Sequence, residues 1–145
     1  MRRNLALLTI AGLAVLLVTR VWALTPPAAA GFQGYWMGVD HVDGGDSRRS
    51  LFQLDNGRFG LAGRDSLLTL CDGTDRGFVG FDDGEESGRD ALQSNTMVLK
   101  CFNNGASVLL HVRYELVEKA LMVEHTTRPD GSVVSNIVFH KVSQD

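Results

Sequence analysis

Beyond residue 30 the sequence has one proline, two cysteines, a single tryptophan and no lysine before Lys100. No stretch sustains apolar residues at the i, i+3, i+4 spacing of a helix face, which excludes a helical bundle and a layered α/β architecture. The first thirty residues carry no acid, and all 17 acidic residues lie between Asp40 and Asp145. A chain this acidic over its folded part lacks the basic footprint that nucleic-acid binding requires. A Gly-x-Ser-x-Gly elbow, a His-Glu-x-x-His pair and a phosphate-cradling glycine loop are also missing, so no spacing marks a catalytic centre and the chain reads as a non-enzyme. What remains after residue 30 is long enough for one modest core and too short for two.

The leader is present and legible. Met1-Arg2-Arg3-Asn4 is a short cationic start, followed by an apolar run from Leu5 to Val18 and two small-residue sites, after Ala23 and after Ala30. This is the layout of a signal peptide over residues 1–30. The run stops at Arg20, short of the roughly 20 residues a membrane span needs, so cleavage leaves no stable anchor. The expected location is secreted or periplasmic, with residues 31–145 as the mature domain. Eleven basic residues against 17 acidic ones then give a net charge of −6 in place of −3. In an oxidising compartment Cys71 and Cys101 are expected to form one disulfide, worth about 3–4 kcal/mol by loop closure; two buried free thiols are the alternative. No histidine stands at ligand spacing from either cysteine, so neither a metal nor a cofactor is expected.

Period-two alternation punctuated by glycine turns runs through the mature chain, the signature of strands and hairpins. Turns fall at Asp43–Asp46, Asp55–Gly57, Asp72–Asp75, Asp82–Gly84, Asn103–Gly105, Glu118–Lys119 and Pro129–Gly131. The strands between them span residues 33–42, 47–54, 58–70, 76–82, 91–102, 106–117, 120–128 and 132–142. Residues 84–90 are the longest polar link and have room for a helical turn. Eight strands with short links describe an all-β, single eight-stranded antiparallel up-and-down barrel, because closure removes the sheet edges. Two-residue turns at Asn56-Gly57, Asn104-Gly105 and Glu118-Lys119, and a three-residue loop at Pro129–Gly131, predict the inner rows. Phe52 faces Leu61, Leu99 faces Leu110, Val112 faces His125 and Ile137 faces Val123.

These registers leave polar residues on the inner face. Arg48 ends one apolar row opposite Asp65, and His125 lies between Val112 and Ser135. Asp40 joins them if Trp36 points inward. All four fall toward one end of the barrel. Asp40, Arg48, Asp65 and His125 are therefore the candidate ligand-binding residues of an apolar lumen with an open mouth; the competing account is a structural Arg48–Asp65 pair and one hydrogen-bonded histidine.

Twelve acids and six arginines fall within residues 40–90, against five of each sign in residues 91–145. That acidic half suits a cationic protein partner. The Asp43/Asp46 and Asp72/Asp75 loops share a spacing, but it is not that of a calcium loop. Aspartate and glycine also dominate tight turns for conformational reasons.

Gly34-Tyr35-Trp36 at the start of the first mature strand resembles the Gly-x-Trp signature of lipocalins and the wider calycin barrels. The resemblance implies a lipocalin-like barrel that carries a small molecule, with Trp36 in a structural role at the closed end. It departs from lipocalins in lacking a Thr-Asp-Tyr element, and the basic residue that covers the tryptophan there has no clear equivalent, since Arg113 faces outward in the predicted register. Small exported barrels that inhibit proteases or lysozymes resemble it in size, disulfide and topology. The sequence thus points to an exported barrel that binds a small, partly apolar ligand. The alternative is a secreted or periplasmic inhibitor of a hydrolase, acting through its acidic loops.

Overall fold

The computed structural model describes residues 29–66, 69–71 and 76–143. The signal sequence and the Asp72/Asp75 pair lie outside them, apart from the last two leader residues. Eight strands follow one another in the expected order: β1 (Gly34–Asp40), β2 (Asp46–Gln53), β3 (Phe59–Asp65), β4 (Gly77–Glu86), β5 (Ala91–Cys101), β6 (Ser107–Glu118), β7 (Leu121–Thr127) and β8 (Val133–Ser143). Each pairs antiparallel with the next, and β8 returns to β1, so the sheet closes into a barrel. One helical turn, α1 (Ala29–Phe32), precedes β1, and a 3-10 turn covers Thr69–Cys71. β3 stops at Asp65, before that turn. β4 runs on to Glu86, so the helical turn expected in residues 84–90 is instead strand followed by a short link.

Four of the seven connections lie at one end of the barrel and three at the other. Strands β1, β3, β5 and β7 end where β2, β4, β6 and β8 begin, and this end carries the 41–45, 66–76, 102–106 and 128–132 connections. Cys71 and Cys101 are joined by the expected disulfide, which ties the 3-10 turn to the end of β5 there.

The opposite end is closed by side chains. Phe32 on α1 and Trp36 on β1 are both fully buried, and Phe32 meets Phe59 edge-on. The Trp36 indole N–H donates to the Phe32 carbonyl at 2.8 Å. Lys141 on β8 lies over the Trp36 ring, its Nζ 4.7 Å from the centroid, and donates to the carbonyls of Gly31 and Gln33 at 2.7 Å each. A basic residue thus covers the tryptophan after all, from a strand whose register placed it there. Above this cap, Leu51, Leu61, Phe81, Leu92, Tyr114, Met122 and Phe139 fill the lower lumen.

Two inner rows differ from the expected ones by one residue, and with period-two side chains such a slip exchanges the faces. The β5–β6 register differs by two, pairing Leu99 with Val108 and Met97 with Leu110 in place of Leu99 with Leu110, which keeps their faces. Leu54 N–H bonds to the Arg58 carbonyl and Gly57 adopts φ +80°, so residues 55–57 make a three-residue loop. Leu51 then pairs with Leu61 and Arg49 with Gly63, turning Leu51, Arg49 and Ser47 inward. Arg48 is on the outer face, opposite Arg64, and not opposite Asp65 as expected. In β6–β7 the closing pair is Glu118–Leu121, and a bulge before it pairs Tyr114 with Glu124 and Val112 with Thr126. Met122, Glu124 and Thr126 therefore point inward, while His125 is exposed and its Nδ1 meets Asn136 Oδ1 at 2.7 Å. Arg113 Nε donates to Glu115 Oε1 at 2.7 Å. The Pro129–Gly131 loop has the expected three residues, with Arg128 N–H bonded to the Ser132 carbonyl. A bulge beyond it makes Met122 and Glu124 the partners of Phe139 and Ile137.

Candidate functional site

The inner face of β2 puts a guanidinium into the middle of the lumen. Arg49 is only 1 % exposed, and a buried cation requires partners on every N–H. Gly63 across the ladder makes the space: a Cβ there would come within 2.9 Å of Arg49 Cδ and 2.6 Å of the Arg48 carbonyl. The side chain crosses above Phe139, with Cζ 5.1 Å from the ring centroid.

All five Arg49 N–H groups are used. Nε donates to Glu124 Oε2 at 2.7 Å, and Nη2 donates to Glu124 Oε1 at 3.0 Å and Asp65 Oδ2 at 3.3 Å. Nη1 donates to Asp65 Oδ1 at 2.6 Å and the Arg48 carbonyl at 3.0 Å. Glu124 is equally saturated, since its two oxygens also accept the Tyr114 hydroxyl at 2.7 Å and the Thr126 hydroxyl at 3.1 Å. Asp65 has the two bonds from Arg49 and a third from the Ser47 hydroxyl, against a capacity of about four.

This asymmetry divides the two carboxylates chemically. Burial raises the Asp65 carboxyl above its ordinary value against the pull of Arg49, and the Glu124 charge adds to the rise. Burial presses the same way on Glu124, but Arg49 and the Tyr114 and Thr126 hydroxyls together hold it below its ordinary value. Burial disfavours the Arg49 cation too, yet Glu124 and Asp65 outweigh it and keep the guanidinium charged. With both acids ionised the cluster carries one net negative charge.

Above the cluster the barrel is hollow. A cavity of about 220 Å³ opens at the mouth, with walls from Val79, Leu99, Leu110 and Ile137 and a base that includes Arg49, Asp65 and Glu124. Leu70, on the 3-10 turn held by the disulfide, also lines it. Asp40, Asp43 and Arg128 stand among the mouth residues, where Asp40 Oδ1 accepts the Val42 N–H at 2.8 Å.

Of the four expected ligand residues, Asp40 and Asp65 line this cavity and Arg48 and His125 do not. Their places are taken by the sequence neighbours Arg49 and Glu124, which the expected registers turned outward. The signal that identifies them is the Asp55-Asn56-Gly57 turn, which has the same Asp/Asn-Gly ending as Pro129-Asp130-Gly131. Treated alike, the two give three-residue loops, and the first then puts Arg49 inside and demands a buried acid. Among the described residues no three His, Cys, Asp or Glu side chains converge to hold a metal ion.

No protein-family model matches this chain, and a search of curated proteins finds no match to it. The site must be judged on its own geometry.

Proposed function

We propose that this chain is an exported, lipocalin-like barrel that captures a small, partly apolar ligand at its open end without transforming it. The observation that carries the proposal is the cavity of about 220 Å³, apolar on its walls and polar at its base and rim. An apolar cavity of about 150 Å³ holds one benzene molecule. The lumen therefore has room for one ring-sized group with a short polar arm, and not for a long acyl chain. The lipocalin-like reading draws support from Trp36 at the closed end with Lys141 over it. Export draws support from the leader pattern and from the disulfide beside the mouth. The saturated hydrogen bonds of Arg49 and Glu124 favour binding over catalysis, since neither has a donor or acceptor to spare for a reacting group.

Filling the cavity tests this. Native mass spectrometry of the wild-type protein is expected to show a small compound that accompanies it through purification. Leu110→Trp, folded by circular dichroism, is expected to lose that compound. A wild-type barrel that carries nothing and binds no member of a small aromatic library, or retention unaffected by Leu110→Trp, overturns the reading.

A further inference from the structure

The chemistry of the cavity narrows the ligand further than its size does. Four carboxylates (Asp40, Asp43, Asp65 and Glu124) and two guanidinium groups (Arg49 and Arg128) line it. Of the two arginines, Arg49 has no N–H left to donate, because Glu124, Asp65 and the Arg48 carbonyl take all five. A carboxylate or phosphate entering the lumen would meet no available Arg49 donor and a base of net negative charge. Arg128 is at the rim, exposed, with its Nη1 near Ser132 Oγ. The base offers the opposite function. Asp65 is 5 % exposed, lines the cavity, and has acceptor capacity beyond its bonds to Arg49 and Ser47. Glu124 has none, having accepted four bonds.

We propose that the ligand is a small protonated organic amine, with its ammonium group on Asp65 and its apolar body against Val79, Leu99, Leu110 and Ile137. This rests on the reading of the lumen as a ligand pocket. With both acids ionised the buried base has one negative charge beyond what Arg49 neutralises, and the ammonium offsets it in a medium where charge is costly to leave uncompensated. Thr126 and Ser135 add hydroxyls to the same lining, which suit a second polar group on the ligand. The acidic rim at Asp40 and Asp43 attracts a cation toward the mouth before it enters. The negative charge that the sequence concentrates in residues 40–90 thereby has a use inside the barrel as well as on its surface.

Three probes of nearly equal size separate charge from shape: benzylamine, benzyl alcohol and benzoate, titrated calorimetrically into the disulfide-bonded protein at neutral pH. A charge-assisted hydrogen bond predicts that benzylamine binds about 10- to 100-fold more tightly than benzyl alcohol, with benzoate weakest. Asp65→Asn is expected to bring benzylamine to within about threefold of benzyl alcohol measured in the same variant. Benzyl alcohol or benzoate binding as tightly as benzylamine overturns the amine assignment and leaves the pocket standing. An amine preference that survives in a folded Asp65→Asn overturns Asp65 as its acceptor. No binding by any of the three overturns the amine assignment, and the Leu110→Trp comparison decides whether the pocket falls with it. The order of affinities in the wild-type protein is decisive even if the variant does not fold.

Discussion

Arg49 organises the lumen, and its two acids make unequal contributions to stability. Removing one partner of a buried charge pair costs more than most hydrogen bonds because the remaining charge is left in low dielectric. Glu124→Gln takes the better-bonded acid, and about 3 kcal/mol of stability is expected to go with it in urea unfolding at pH 7. Asp65→Asn removes the carboxylate whose ionisation burial opposes, so a change within about 1 kcal/mol is expected. The pH dependence follows with opposite signs. The depressed Glu124 contributes stability that is present above its ordinary value of 4.5 and is lost as pH falls through its folded pKa. The raised Asp65 contributes stability that is present below its ordinary value of 3.8 and is lost as pH rises through its folded pKa. Acidification from neutrality is therefore expected to hold or slightly raise stability while Asp65 takes its proton, then lower it steeply below about pH 4.5 as Glu124 follows. Urea midpoints across pH 3–8 check this, and Asp65→Asn should flatten the upper part of the profile.

Turns and bulges decided which of these residues point inward. Strand number, order and most apolar inner residues were legible from alternation and glycine punctuation: Leu61, Leu99, Leu110, Ile137 and Phe139 are all inside, as expected. Both slips arose in strands whose alternation is weak. In β2 the run Ser47–Leu51 has polar residues on both faces, and in β7 Leu121 and Val123 compete with Met122 for the inner row. There a one-residue difference in loop length outweighs the apolar pattern, because closing the turn geometry sets the register. The bulge between Leu116 and Glu118 has no sequence marker, so Glu124 is recoverable only by asking what balances a buried Arg49. The cover over Trp36 is not legible for a related reason: Lys141 is far from Trp36 in sequence and reaches it only because β8 returns to β1. Lys141→Met removes two hydrogen bonds to carbonyls and the cation over the ring. It is expected to cost about 1–2 kcal/mol and to speed exchange of the Trp36 indole proton, since α1 loses its tie to β8. Amide exchange of Leu99 and Leu110 near the mouth should stay unchanged relative to global stability.

For the whole molecule the question is why a small barrel keeps three charged groups in its interior. A barrel of eight strands is wide enough only for side chains or one small ligand, and apolar side chains would fill it at lower electrostatic cost. Here the lower half is filled that way, from Phe32 and Trp36 up to Phe139, and the polar layer begins where the cavity does. If Arg49, Asp65, Glu124 and Tyr114 are not there for the fold, replacing them with apolar groups of similar size is expected to leave stability unchanged or improve it, as buried ion clusters often show by about 1–4 kcal/mol. The combined variant Arg49→Met, Asp65→Leu, Glu124→Leu, Tyr114→Phe tests this, because it removes every charge and the Tyr114 hydroxyl that depends on them. It is expected to unfold at a urea concentration equal to or above that of the wild type. It should bind benzyl alcohol at least as well as before and lose its preference for benzylamine. A loss of more than about 3 kcal/mol would instead identify the cluster as a device that fixes the barrel's register. Gly63 bears on the same choice. Its missing Cβ leaves room for Arg49 at a position where alanine would suit a strand better, so the backbone is already shaped around the charge. A barrel that gives up packing on β3 to hold an arginine whose five donors are spent on two acids and a backbone carbonyl is arranged to present the acid with acceptor capacity left, Asp65, to whatever enters the cavity above it.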